Sequence, residues 1–466
     1  MLLLCTGFSF ATQNVKELLD GYLKNSLDLH KLSSQVEKQI LNSKVAQISN
    51  GMNIQLSTGE IQFQLGSDQY FTFSPKAAVT IPQADNLGFS ASSVVNINDS
   101  QEKTVSDISL SISADIYSGA MEQRKITLLE SERTLLEAKR ALQNGFVSAE
   151  KEFYSSLKNL YEIASQIIKE EKNLYEDKLS FEKIRAQGYS SGSTTYRLSQ
   201  NKVLADEHSV QVYRHKLERE TRIFAAKCGV YYSEKDPVDF LPQEIPEVEG
   251  IDVFSFKKDT YAKIENASWK KHINTLKRDA EKSMTLSANA GCTFDKEIKG
   301  SYHNTVDAGL SYTWDKTALT AKAGVSFPVD SINPVYSLGL TLIPNQFRLA
   351  SIDSKLEEED VRQEEIDIKS AHNDYITSLA SQKSSLDNIL WNKNANIESY
   401  DMYTSLAKDT ALYFERGIIS ESEYKSAQVN KENYRIQILI NNLDLIIYND
   451  ETRLLFTRDE ELENVK

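Results

Sequence analysis

The sequence contains few cysteines and few prolines, and this limits the structures that it can form. Three cysteines in 466 residues are too few for a disulfide framework. Cys228, near a predicted helix end, and Cys292, on the apolar side of a predicted strand, are better explained as unpaired small hydrophobic side chains than as a disulfide or a metal site. All eight prolines lie within residues 75–82, 237–246 and 328–344, so helices elsewhere are free to run long.

Long hydrophobic runs and common catalytic motifs are also absent from the sequence. No stretch of about 18 apolar residues occurs, which argues against a transmembrane helix. No phosphate-binding loop, Gly-x-Ser-x-Gly or His-Glu-x-x-His motif is present, so we expect neither enzyme activity nor a cofactor. His208 and His215 lie seven residues apart, which is not the i, i+4 spacing of a ligand pair. A net charge of −14 without a basic cluster predicts no binding to nucleic acid.

The first eleven residues are apolar and end in Ser9-Phe10-Ala11, which fits a signal-peptide cleavage site. The basic region that normally opens a signal peptide is missing. We interpret residues 1–11 as a signal peptide whose start is cut short, and the alternative is a buried N-terminus.

The most informative stretch runs from Val105 to Gln187 and changes its hydrophobic period once. Its first part alternates apolar and polar residues, which predicts a strand with one apolar and one polar face. After Ser118-Gly119, apolar residues recur at helical spacing. The positions of this coiled-coil-like seam include Leu128, Leu135, Leu142, Ala149, Phe153, Leu157, Leu160, Ala164, Ile167 and Leu174. Such a helix is on the order of 100 Å long, which an ordinary globular domain does not bury.

The same order of elements occurs twice, on either side of a proline-containing linker at residues 237–250. Each half is predicted to contain a helix, strands, a long helix, a glycine turn and a second helix. The opening helices are predicted at residues 13–49 and about 252–282. In repeat 1 (12–236) the strands, long helix, turn and second helix fall at about 52–117, 120–187, 188–193 and 194–229. In repeat 2 (251–466) they fall at about 284–343, 346–416, 417–420 and 421–457. Gly188 and Gly417 match at an offset of 229 residues, which favours duplication.

Up to four strands are predicted in each half of the chain. Those of the first half lie at about 52–57, 60–66, 71–81 and 107–116, with a polar loop at about 83–104. Strands of about ten residues with one wet face are long enough to cross a bilayer. A soluble sandwich is the alternative, but helices several times longer than the strands do not fit it. A barrel that continues into a helical tube fits helices of this length. Because one chain offers too few strands for an open barrel, we expect several copies to share it.

The turn Gly417-Ile418-Ile419-Ser420 resembles the inter-helix turn of the TolC-like outer membrane efflux factors. It has glycine, two apolar residues and serine, then an acidic residue (Glu423) six positions and an alanine ten positions after the glycine. The first copy, Gly188-Tyr189-Ser190-Ser191, keeps glycine and serine, but Thr194 stands where the acidic residue would be. The family's arginine four residues before the glycine is replaced by Tyr413 in the second copy, whereas Arg185 stands three before Gly188 in the first.

The resemblance implies an α+β membrane protein, in which a long coiled-coil-like α-helical barrel continues into an antiparallel transmembrane β-barrel. It implies two repeats per chain, a homotrimer, and a position in the outer membrane that reaches into the periplasm. The function would be that of a passive exit duct in a tripartite efflux or type I secretion system. Its partners would be outer membrane lipid, a periplasmic adaptor protein and an inner-membrane transporter. The family has two strands per half, fewer than we predict here.

The resemblance also implies roles for the turn residues. Those expected to dock the adaptor at the periplasmic tip are Gly188, Tyr189, Ser190, Ser191, Gly417, Ile418, Ile419 and Ser420. Glu423 and Thr194 are expected to line the aperture, with three copies of Glu423 forming an acidic ring. The alternative for Glu423 is an ordinary exposed glutamate in a first helical turn, where the helix dipole favours it.

Two other functions fit parts of the same pattern. One is a periplasmic or surface coiled-coil structural or adhesion protein with a β-rich head. The other is a stand-alone porin, which would not need helices of this length.

Overall fold

The chain folds into two compact units in a computed structural model. The structure describes residues 14–64, 70–98, 103–232, 236–281, 284–296, 302–314, 319–328 and 333–457. The first unit contains residues 1–34, 139–265 and 372–466, and the second contains residues 35–138 and 266–371. The predicted signal peptide, residues 1–11, lies outside the described residues.

Long α-helices dominate the element order. They are α1 Val15–Asn25, α2 Leu27–Ser49, α3 Ala120–Ala186, α4 Thr194–Lys227, α5 Ala262–Ala280, α6 Pro344–Glu415 and α7 Glu421–Leu454. Two details differ from the sequence prediction. The first helix is interrupted at Ser26, whose hydroxyl accepts a bond from the Leu29 N–H at 3.4 Å. The helix predicted from residue 252 begins only at Ala262, because the Asp252 carboxylate accepts from the Phe254 N–H and starts a short 3₁₀ turn instead.

The core of the first unit is built around the seam of α3. Phe153 and Leu157 are fully buried, and Ile167 is only 3% exposed. The Phe153 ring packs against Tyr22 of α1 and Phe224 of α4, with centroid distances of 5.6 and 5.2 Å. The C-terminal half of α7 is buried on several faces. The part of the predicted seam from Phe153 to Ile167 therefore lies in the core, whereas its flanking positions, such as Leu142 and Leu174, are only half-buried.

The segment predicted as a linker contributes to this same core. Phe240 is 1% exposed and Leu241 is fully buried. The Tyr161 hydroxyl of α3 donates a hydrogen bond to the Pro242 carbonyl oxygen. Residues 237–250 therefore join the two halves of the chain without forming an exposed spacer.

The second unit contains one antiparallel sheet. Its strands are β1 Asn53–Ser57, β2 Ile61–Gln64, β3 Tyr70–Phe73, β4 Lys76–Ile81, β5 Leu87–Asn98, β6 Lys103–Tyr117, β7 Met284–Lys296, β8 Tyr302–Trp314, β9 Leu319–Pro328 and β10 Val335–Leu342. They pair in the order β1-β4-β5-β6-β7-β8-β9-β10. β2 pairs with β3, and β3 pairs with the same edge of β5 as β4 does. β1–β2 and β3–β4 are thus two interrupted strands, and the sheet is eight strands wide.

The predicted polar loop at 83–104 is wrong, because most of it is strand β5. The polar face of β5 is rich in serine, and the β5–β6 register shifts between Ser92 and Val94. Opposite Ser93, Asp107 of β6 adopts φ 53° as part of a bulge. The alternation of apolar residues in β5 therefore runs through Ser93, and a search for apolar residues alone does not detect it.

The interruptions fall side by side on four neighbouring strands. Gly59, between β1 and β2, has φ 64° and lies against the Ser74 carbonyl, where a Cβ would be 1.9 Å from the oxygen. The adjacent Pro75 carbonyl accepts a hydrogen bond from the Ser93 N–H at 3.1 Å. The bulge at Asp107 continues this line on β6. The interruptions of the first four strand positions and the bulge therefore lie along one line across the sheet.

Substituting Gly21 tests the close packing of α1 in the first unit. A Cβ at Gly21 would lie 2.2 Å from the Cys228 carbonyl oxygen. Although alanine normally favours a helix, we expect Gly21→Ala to destabilise the fold by about 1–3 kcal/mol, because backbone must move. Thermal unfolding followed by circular dichroism measures this. Gly192→Ala is the matched control, since nothing lies within 4 Å of that position; equal midpoints for both variants would contradict the packing.

Candidate functional site

Two regions of the protein carry residues with a predicted function. The first is the pair of turns that connect long helices, α3 to α4 and α6 to α7, both in the first unit. The second is the sheet of the second unit. They are described in that order.

The turn after α6 is closed by a Schellman motif. Gly417 adopts φ 68°, and its N–H donates to the Phe414 carbonyl at 2.9 Å. The Ile418 N–H donates to the Tyr413 carbonyl, also at 2.9 Å. This pair of bonds is the 5→2 and 6→1 pattern of that motif, and the left-handed residue in it is usually glycine. Tyr413, which replaces the family's arginine, thus accepts a turn bond through its backbone.

The start of α7 is fixed by a capping box between Ser420 and Glu423. The Ser420 hydroxyl accepts from the Glu423 N–H at 3.3 Å, and the Glu423 carboxylate accepts from the Ser420 N–H at 2.9 Å. The Ser420 hydroxyl also donates to that carboxylate at 2.8 Å. The bonds from the Ser420 backbone and side chain hold the pKa of Glu423 below its ordinary value. Glu423 is exposed and has a structural role within its own chain.

The turn after α3 is built in a similar way with different side chains. Gly188 adopts φ 79°, and its N–H donates to the Arg185 carbonyl at 3.1 Å. Ser193 caps α4, because its hydroxyl accepts from the Tyr196 N–H at 3.3 Å. Thr194, predicted to line the aperture, is the exposed first residue of α4. The serine at the cap, and not the residue after it, carries the stabilising bond here.

An aromatic pair lies across each turn. Phe414 and Tyr424 stack with a centroid distance of 5.2 Å and an interplanar angle of 4°. Phe181 and Tyr196 meet edge to face at 5.0 Å. Of the eight predicted docking residues, Ile419 is half-buried and the others are exposed; Ile418 is 64% exposed. Each turn therefore presents small and apolar groups on a braced helical hairpin.

A pair of carboxylates between α3 and α4 was not predicted from the sequence. The Asp177 carboxylate of α3 accepts a hydrogen bond from the Lys202 ammonium at 2.7 Å. The second hydrogen-bond partner of Asp177 is the side chain of Asp206 on α4. Burial, followed by the proximity of Asp177, raises the pKa of Asp206 to about 6. Burial opposes ionisation of Asp177 as well, but the hydrogen bonds from Lys202 and Asp206 and the charge of Lys202 together outweigh it and lower the pKa of Asp177. The two residues lie at similar distances along the chain from the turn between α3 and α4. This spacing is the signal in the sequence from which their pairing could be predicted.

One face of the sheet is apolar across all eight strand positions. Residues paired directly in the register share a face, and one such row is Ile54, Val79, Phe89, Ile112, Ala290, Ala308, Val325 and Tyr336. Many of the large side chains on this face are exposed, from 38% for Ile108 to 88% for Leu338, whereas others, such as Val79 and Val325, are half-buried. No described helix is long and apolar enough to cross a membrane. An exposed apolar surface of this extent is typical of contact with lipid or with another protein.

The opposite face of the sheet carries small polar residues. The next row of paired residues is Asn53, Thr80, Gly88, Ser113, Asn289, Gly309, Gly324 and Ser337. On this face Ser90 and Ser111 hydroxyls lie 2.7 Å apart. Few charged residues lie on the polar face in the rows next to this one, and Asp307 and Lys322 are two of them. The sheet therefore has the two-faced character that the alternation in the sequence predicts.

Comparison with solved structures gives the class of the fold. The outer-membrane channel OprN is 13% identical with a TM-score of 0.50, and the match covers 97% of this chain and 95% of that chain. CmeC of Campylobacter jejuni has a TM-score of 0.46 at 12% identity, with 97% and 88% covered. The open state of the MtrE outer membrane channel from Neisseria gonorrhoeae has a TM-score of 0.47 at 10% identity, and the match covers 95% of this chain and 89% of that chain. The likeness to OprN shows that the chain has the fold of the TolC-like outer membrane channels.

The family assignment comes from the sequence itself. The chain belongs to the TP096X family. The family's N-terminal domain matches residues 18–247 of this chain, and the family's C-terminal domain matches residues 246–459. The border between the two matches lies inside the segment predicted as a linker. No curated protein matches the sequence. The two-repeat organisation itself stays a prediction.

Asp206→Asn tests the carboxylate pair through pH. A raised folded-state pKa means that stability from the bound proton is complete below the ordinary value of 3.8 and is lost as the pH rises through about 6. At pH 7.5 we expect the variant to unfold about 2 °C above the wild type, because repulsion from Asp177 is removed. At pH 5 the difference should shrink. Thermal unfolding at both pH values measures it.

Asp409→Asn is the control for this experiment, because Asp409 is an exposed aspartate on α6. It should show the same small difference from the wild type at both pH values. An Asp206→Asn variant that behaves like this control would contradict the raised pKa.

Proposed function

We propose that the protein is an outer membrane channel that acts as a passive exit duct of a tripartite efflux or type I secretion system. The observation that carries the proposal is the exposed apolar face that continues over eight strand positions, opposite a face of small polar residues. In a membrane barrel, the apolar face would contact lipid on the outside and the polar face would line a water-filled interior. The fold shared with OprN, itself an outer-membrane channel, supports the same proposal. We infer no enzyme activity.

We propose further that the functional form is a homotrimer. Strand number alone does not require several copies, since eight strands suffice for a small barrel whose interior side chains fill. The stronger support is that β1 is paired only with β4, and β10 only with β9, among the described strands. These two edges would otherwise remain open. In the proposed trimer, β1 of each chain pairs with β10 of the next.

The helical turns would lie in the periplasm and bind the adaptor, which in turn holds the inner-membrane transporter. Gly188 to Ser191 and Gly417 to Ser420 are the proposed docking segments. Their exposure and their rigid caps support this, because a preorganised surface loses little conformational freedom on binding. Energy for transport would come from the transporter.

The three Glu423 carboxylates are proposed to ring the narrow end of the duct, with Thr194 beside them. The lowered pKa of Glu423 supports this, because the group keeps its charge at moderately acid pH. A ring of fixed negative charge favours the passage of cations.

Membrane fractionation followed by mass determination in detergent tests the main proposal. We expect the protein in the outer membrane fraction, released only by detergent, with the mass of three chains, each slightly below 52.7 kDa after removal of residues 1–11. A soluble monomer or dimer would contradict the duct. That result would favour the other candidate, a coiled-coil structural or adhesion protein with a β-rich head, because such a protein needs no detergent.

Glu423→Gln tests the acidic ring in planar bilayers. Glutamine can still accept the Ser420 bonds of a capping box, so the start of α7 is kept while the charge is removed. We expect the preference for cations over anions to fall several-fold. Glu421→Gln is the matched control, because Glu421 is exposed in the same helical turn and pairs with Lys425 at 2.6 Å. Unchanged selectivity in Glu423→Gln would rule out the ring.

A further inference from the structure

We propose that the duct, if the proposed trimer is right, ends in a barrel of about 24 strands and is wide enough there for large hydrated solutes. The inference deepens the proposed function by naming a solute class. It rests on the width of the sheet: its pairing path contains eight strands, and three copies of eight give the total.

All eight strand positions must contribute if the apolar face marks the surface towards lipid. The row from Ile54 to Tyr336 crosses every position without a break. The first two positions, which are interrupted, belong to it as fully as the last four. The bulge at Asp107 adds one residue to β6, so Val105 still pairs with Val95 on the apolar side. The first-half strands are therefore not a separate appendage of a smaller barrel.

The polar face argues against closure of the sheet within one chain. An eight-stranded barrel is just wide enough for its interior side chains to fill. Here Gly309 and Gly324 pair directly, and Ser113, Asn289 and Ser337 lie in the same row. Such short side chains would leave a small barrel poorly packed, whereas they suit a wide lumen filled with water.

The expected size follows from strand geometry. With strands about 4.8 Å apart and tilted by about 40°, a barrel of 24 strands has a backbone diameter of ~48 Å. Twelve strands, from three copies with only four each, would give ~24 Å. A lumen of the larger size lined by serine, threonine, asparagine and glycine has little means to select by charge or size. Large polar solutes, such as oligosaccharide or polypeptide chains, are the class that this width admits.

Electron microscopy of the full-length protein in lipid nanodiscs tests the proposal. We expect a membrane-embedded ring of about twice the diameter of a twelve-stranded barrel. A trimer with the narrow ring would overturn the inference and leave the duct intact. A particle without a ring, or a soluble one, would overturn the duct and the inference together.

Cysteine labelling gives a second readout that does not depend on imaging. In a chain whose three cysteines are replaced by serine, Ser111→Cys lies on the polar face and Leu110→Cys on the apolar face. A bulky polymer-linked maleimide should label Ser111→Cys in nanodiscs at least tenfold faster than Leu110→Cys, which lipid covers. A small maleimide that labels Ser111→Cys where the bulky one does not would show a narrow lumen and overturn the proposal.

Discussion

The register that places most large apolar side chains of eight strand positions on one face is the constraint on which the sheet depends. Because side chains alternate along a strand, a slip of one residue would turn a whole strand over. The pairs Phe89–Ile112 and Ile112–Ala290 show the register on both sides of β6. Opposite Ser93, the register shifts by one extra residue in β6, and Val95 still pairs with Val105 beyond it. The bulge thus keeps the apolar residues of both strands on a single face.

The sequence predicts those parts of the fold whose signals are local. Alternation from Ile108 to Ile116 and from Met284 to Phe294 is unbroken, and both segments are strands. In β5 the apolar face is interrupted by Ser93, so hydrophobic alternation does not predict the strand; it forms by pairing with β4 and β6. At the helix break, the Ser26 N–H donates to the Leu23 carbonyl and the Ser26 hydroxyl accepts from the Leu29 N–H, and hydrophobic periodicity does not reveal such local bonds.

The candidate site divides in the same way. Turn ends are predictable, because glycine in the left-handed region and serine at a cap satisfy backbone groups within a few residues. The pairing of Asp177 with Asp206 is not local, since it requires the register between two antiparallel helices. The turn after α3 and the carboxylate pair therefore differ in how they could be found, although both lie on the hairpin of α3 and α4.

A capping role and a pore-lining role for Glu423 are compatible. The bonds from Ser420 that cap α7 also hold the carboxylate in one position and favour its ionised form. A glutamate without these partners would be free to move and would take up a proton more readily. In the wide polar sheet, by contrast, no comparable fixed row of charge lies on the described strands. If the duct discriminates between solutes, the turns are therefore better built for it than the sheet.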